Sequence, residues 1–118
     1  MTLVDTSVWV AHFRAANARL AELLSSGQVL CHPFVIGELA CGNLRNRQEI
    51  LVLLAALPRA SVAEHDEIMT LLESSRLYGR GLGWVDLHLL TSALLSRCVL
   101  WTLDRPLQRA AAAVKVVA

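Results

Sequence analysis

Residues 2–7 read TLVDTS, and this stretch decides the fold. Leu3 and Val4 form a short apolar β-run, and Asp5, Thr6 and Ser7 follow with side chains that both end a strand and cap a helix. Val8, Trp9, Ala11, His12 and Phe13 continue as a mostly apolar helical stretch. A buried first strand running straight into a helix is the simplest outcome.

The pattern recurs outward from this segment. Gln28 to His32 reads as a second short strand, and Pro33 fits the first turn of a helix carried by Phe34, Ile36, Leu39, Ala40 and Leu44. Cys98 to Leu103 is a continuous apolar strand, after which Asp104 and Pro106 open another helix. Brief strands are also expected at Arg59 to Val62 and Val114 to Val117. Helices fill the intervals: Asn17 to Ser26 with Gly27 as its stop, Arg47 to Leu57 ending at Pro58, a helix from Glu64 toward Gly79, and Trp84 to Arg97. Between the last two lies a loop with Gly79, Gly81 and Gly83. Strands that are apolar throughout, alternating with helices, predict a parallel sheet covered on both faces. The expected fold is a three-layer α/β/α domain with a short, mostly parallel central sheet, and residues 1–118 form one domain.

The 118 residues are 55% apolar, enough to build a core without disulfides or structural metal. Cys31, Cys41 and Cys98 are odd in number and sit among apolar neighbours, so reduced core thiols are expected. A formal net charge of +1 does not announce a nucleic-acid binder, although the basic residues are arginines except for Lys115. No apolar run reaches the roughly 20 residues that span a bilayer. The opening also lacks a basic stretch followed by a long apolar run, so a cytoplasmic protein without a secretory signal is expected.

Acids punctuate this framework. Asp5 and Asp104 stand where strands end, and Asp86 lies in the first turn of its helix. Glu38 interrupts an apolar helix, where an ionised side chain needs a partner, and no basic residue stands three or four positions away. In an α/β fold the crevice beyond the carboxyl ends of the strands gathers ligands. Carboxylates meeting there repel one another unless a divalent cation holds them ionised. An all-oxygen set suits Mg²⁺ or Mn²⁺, and such ions suit phosphodiester chemistry by an activated water. Each acid also has a plainer reading: Asp5 and Asp104 as helix caps, Asp86 as a first-turn acid, Glu38 as a surface residue. Thr6, Ser7 and Thr102 can support the site or serve their own elements. The four histidines, His12, His32, His65 and His88, lack metal-ligand spacing and receive no catalytic role. Arg45, Arg47, Arg76 and Arg80 flank the site as candidate phosphate contacts or as solvated surface charge.

Four segments together, LVDTSVW (3–9), IGELACG (36–42), GLGWVDLHLLTSALL (81–95) and TLDRPL (102–107), resemble the PIN-domain ribonucleases, in particular the VapC toxins of type II toxin-antitoxin pairs. The resemblance runs over essentially the whole chain. It implies an acidic centre of Asp5, Glu38, Asp86 and Asp104 that binds Mg²⁺, with Asp5 and Asp86 as the firmest ligands and Asp104 as a third. Thr6 and Thr102 match hydroxyl residues of the family pattern. Pro106 and Leu107 stand where many relatives carry a second acid and an aromatic. The resemblance further implies an endoribonuclease that cuts cellular RNA, often tRNA or rRNA, and so inhibits translation. A cognate antitoxin would block the acidic cleft, a homodimer is expected, and DNA contact would be the antitoxin's work.

The alternatives are a receiver-like binding module and a non-catalytic interaction domain. A receiver needs an acidic pair after the first strand and a late-strand lysine, whereas Asp5 stands alone and Lys115 lies in the last few residues. An aspartyl nucleophile of the phosphate-transfer type wants a second Asp two positions on, where Ser7 stands. The glycines at 79, 81 and 83 lack the lysine of a P-loop.

Overall fold

The computed structural model describes residues 1–118. Strand β1 (Thr2–Val4) lies between β2 (Val29–Leu30) and β3 (Val99–Trp101), all parallel, in the order β2-β1-β3. Thr2 pairs with Val29 on one side and Val99 on the other, and Val4 pairs with Trp101. Leu3 and Val4 are fully buried, so both faces of the central strand are covered, as its unbroken apolar sequence requires.

Seven helices supply the cover: α1 (Thr6–Arg14), α2 (Ala18–Ser25), α3 (Pro33–Cys41), α4 (Arg47–Ala55), α5 (His65–Ser74), α6 (Trp84–Ser96) and α7 (Arg105–Ala113). Helix α3 packs on α1 and α4, while α6 packs on α5, α7 and β3. Local chemistry sets their ends. The Asn17 side chain accepts the Leu20 N–H at 3.0 Å to start α2, and Gly27, at φ +68, takes the left-handed turn that stops it. The imidazole Nδ1 of His32 accepts the Phe34 N–H at 3.0 Å, with Pro33 in the first turn of α3. Every residue of α6 from Leu87 to Ala93 is buried, which makes it the central helix of its layer. The architecture is the expected α/β one.

Three expectations need correction. Arg59 to Val62 is not a strand: it meets the sheet only through a bridge between Cys31 and Arg59, because the Ser61 N–H turns away to the Ser96 hydroxyl at 2.8 Å. Val114 to Val117 is likewise reduced to a bridge between Leu100 and Val117. Helix α7 runs on to Ala113, and the reversal at Lys115, φ +63, uses up the rest of the segment. Cys41 is exposed at the end of α3, so only Cys31 and Cys98 are core thiols, and all three are free.

Because the strands are parallel, their carboxyl ends share one edge. Asp5 leaves β1 there, His32 follows β2, and Thr102 and Asp104 follow β3.

Candidate active site

Asp5 is fixed by its backbone first: its N–H donates to the Trp101 carbonyl at 2.9 Å, continuing the β1–β3 ladder by one residue. Its side chain does not cap α1. Instead Asp5 Oδ2 accepts two hydroxyls, Ser7 Oγ and Thr102 Oγ1, each at 2.7 Å, in a site where the residue is only 7% exposed. Both hydroxyls are tied in turn to the segment after β3. Ser7 Oγ accepts the Leu103 N–H at 3.0 Å, and Thr102 Oγ1 accepts the Asp104 N–H at 3.0 Å. The two hydroxyls therefore strap the β1 end to the β3 end, with a carboxylate oxygen at the knot. Hydrogen bonds to an ionised, buried group are worth about 1.5–3 kcal/mol each.

The other three acids are held individually. Asp104 is the N-cap of α7, its Oδ2 accepting the Leu107 N–H at 3.1 Å, so the capping reading of this residue is correct and leaves its second oxygen to other partners. Asp86 Oδ2 accepts the Gly83 N–H at 2.9 Å across the first turn of α6. Glu38, exposed on α3, finds its partner not in a cation but in Thr6, whose hydroxyl donates to Oε1 at 2.7 Å.

Asp86 feels the other three acids. The Asp86 carboxyl is held above the usual carboxylate range, first by burial. The Gly83 N–H opposes that rise, and the charges of Asp104, Asp5 and Glu38 add to it. No three of these side chains stand close enough together to grip one ion unaided. Each, however, is oriented through a single oxygen, leaving the other unengaged by any protein donor. Oxygen-only donors that repel one another fit a hard divalent cation and give no place to a thiolate- or imidazole-preferring metal.

A groove of about 620 Å³ opens beside Glu38, the one acid of the four that lines it. Thr6 and Glu38 form one wall, and Arg14, Asn43, Arg45 and Asn46 line the rest of its polar surface. Arg45 was expected near the site; Arg14 was not, since it lies in the last turn of α1 and reaches the groove only because α1 packs on α3. Arg47 has a structural role of its own: its Nε and Nη2 both donate to the Ala40 carbonyl, at 3.1 and 2.9 Å, and close the end of α3. Ser7, expected either to support the site or to cap α1, does the former, through partners that the sequence did not name: Asp5 and the Leu103 N–H.

The PIN domain family matches residues 2–113 of the chain. Among curated proteins, Ribonuclease VapC32 of Mycobacterium tuberculosis is 52% identical over 113 residues, covering 95% of this chain and 91% of its own, in strain CDC 1551 / Oshkosh. The same identity and coverage hold for Ribonuclease VapC32 of strain ATCC 25618 / H37Rv.

Proposed function

The chain belongs to the PIN domain family, and from that premise we propose that it is a metal-dependent endoribonuclease, acting as the toxin of a type II toxin-antitoxin pair. The observation that carries this reading is the set of four carboxylates, Asp5, Glu38, Asp86 and Asp104, each oriented through one oxygen with the other free. The ribonuclease name of the relative at 52% identity supports the choice of RNA as the polymer cut.

Asp5, Asp86 and Asp104 would hold the ion together with water, since no three of the acids close on it directly, with Glu38 nearby. Mg²⁺, with Mn²⁺ as substitute, would supply Lewis acidity toward the phosphodiester and its attacking water. The chain's own part is orientation. Ser7 and Thr102 fix the Asp5 carboxylate against rotation, Gly83 fixes Asp86, and Thr6 sets Glu38 at the mouth of the groove. Arg14 and Arg45 offer planar donors to backbone phosphates entering that groove.

The biological setting follows the same reading. The substrate is a cellular RNA, tRNA or rRNA, whose cleavage inhibits translation in the cytoplasm. A cognate antitoxin covers the acidic cleft, the protein works as a homodimer, and DNA is met only through the antitoxin. No helix is long and apolar enough to cross a membrane.

The test is cleavage of labelled RNA with Mg²⁺ or Mn²⁺, with and without chelator, by the parent and by Asp5→Asn and Asp86→Asn. Loss of at least about 100-fold in either variant is expected, the scale of removing a central electrostatic group. Undiminished cleavage in both variants removes the acids from the mechanism, and absence of metal-dependent cleavage by the parent overturns the enzyme reading.

A further inference from the structure

Trp84 opens α6 two residues before Asp86, and it is 41% exposed. An indole left that far in water is ordinarily mobile, but this one is braced. It meets the His88 ring nearly perpendicular, with centroids 5.3 Å apart, and the His65 ring at 5.2 Å. His88 is itself buried and packs edge-on against Phe34 at 4.4 Å, and Phe34 packs on the fully buried His32 at 5.2 Å. A continuous run of rings thus extends from the N-cap of α3 to the surface, joining the helices that carry Glu38 and Asp86.

We propose that Trp84 is a stacking platform for an RNA base next to the scissile phosphate. The inference rests on the ribonuclease reading for its polymer, and on the braced, exposed indole for its site. Trp84 lies about 3 Å along the helix axis from Asp86, and residues two apart leave a helix on different sides. The two side chains are roughly 200° apart around the axis, so a base stacked on the indole would lie beside the first turn of α6 and not over the acids. Stacking needs a flat, apolar surface whose orientation is already fixed, and the ring run behind Trp84 supplies that fixation. The adjoining loop adds room: Gly79 and Gly81 adopt φ of +70 and +76, and a Cβ on Gly81 would approach the Pro106 ring at 3.7 Å, which places the loop against the start of α7. The loop thus runs from the start of α7, which Asp104 caps, to Gly83, whose N–H holds Asp86.

The experiment measures binding of a labelled single-stranded RNA oligonucleotide by anisotropy in chelator, where the metal-dependent reaction is off. Parent, Trp84→Phe and Trp84→Ala are compared. Trp84→Ala is expected to weaken binding about 5- to 100-fold and Trp84→Phe by no more than about threefold, with the salt dependence of all three unchanged because no phosphate contact is lost. Adding RNA should quench part of the parent's tryptophan emission, and that part should be missing in Trp84→Phe, which folds with an aromatic in place. An abasic scan of the oligonucleotide should find one position at which parent and Trp84→Ala bind alike. Equal binding by parent and Trp84→Ala, quenching that survives in Trp84→Phe, or the lack of any such abasic position overturns the proposal. So does a weakening that tracks a change in oligomeric mass by light scattering, which would place Trp84 in a contact between copies. Cleavage by the parent with Mn²⁺ is scored separately: its absence overturns the ribonuclease reading, while Trp84-dependent binding stands on its own.

Discussion

Lowering the pH should unfold this protein through His32. The imidazole is fully buried beneath α3, and its Nδ1 must stay unprotonated to accept the Phe34 N–H that starts the helix. Burial, helped by the neighbouring His88, lowers its pKa from 6.5 to about 4. The unfolded chain therefore takes up a proton as pH falls through about 6.5 while the folded chain refuses it until about 4. Stability is whole above the unfolded value and is lost progressively below it. At about pH 5 the linkage amounts to ~2 kcal/mol, rising to ~3 kcal/mol below the folded value, a large share of a small domain's stability. His32→Asn removes the titration and keeps an acceptor suited to the N-cap. Urea unfolding of both proteins between about pH 7.5 and pH 4.5 is the assay. The variant, short of the ring that packs on Phe34, starts lower at neutral pH and falls less steeply. His88, whose pKa burial also lowers, stays in both proteins, so the difference in slope isolates His32. Parallel curves would show that His32 titrates normally and would refute the argument.

Four further outcomes follow from the geometry. Thr102→Val, at a position only 2% exposed, keeps the shape and removes both the donor to Asp5 and the acceptor for the Asp104 N–H; kcat for RNA cleavage should fall about tenfold or more with little change in KM. Ser7→Ala should act on the same Asp5 oxygen, so the double variant should lose less than the product of the two, as a double-mutant cycle would read. Gly27→Ala meets no steric contact but must hold φ +68, so denaturant titration should show a loss of about 1 kcal/mol with cleavage unaffected. Arg47→Met should destabilise the protein by about 1–2 kcal/mol through the freed Ala40 carbonyl, and leave the salt dependence of RNA binding as it was.

The fold was legible because its central strands are apolar without alternation, a pattern that only a two-sided burial satisfies; Leu3, Val4 and Leu100 are all within 1% of complete burial. The edges were less legible, since Arg59 and Val117 pair through single bridges that leave no period in the sequence. At the site, sequence located each acid but not its partner. Capping chemistry and site chemistry use the same residue types, so Asp5 and Asp104 read alike, yet only Asp104 caps its helix. The distinction depends on Thr102, 97 residues away from Asp5, and on Thr6 meeting Glu38 across 32 residues. Such contacts have no local signature. The aromatic run from His32 to Trp84 was invisible for the same reason, as it joins two helices far apart in sequence, α3 and α6.

These long-range hydroxyls also explain how a site built from repelling charges coexists with a stable fold. Carboxylates brought near one another repel, and the Asp86 carboxyl is held above its ordinary range first by burial and then by the charges of Asp104, Asp5 and Glu38. A cation added late would relieve the charge but could not choose the rotamers. Ser7, Thr102, Thr6 and the Gly83 N–H choose them beforehand, each by taking one carboxylate oxygen and leaving its twin outward. The orientation therefore belongs to the folded chain, and these carboxylates would meet a divalent ion with their directions already limited. On this argument, substitutions in the hydroxyl strap should raise the metal concentration needed for half-maximal cleavage more than they lower the melting temperature. A strap variant that lost stability in proportion to activity, with unchanged metal demand, would mean that the hydroxyls serve the fold alone.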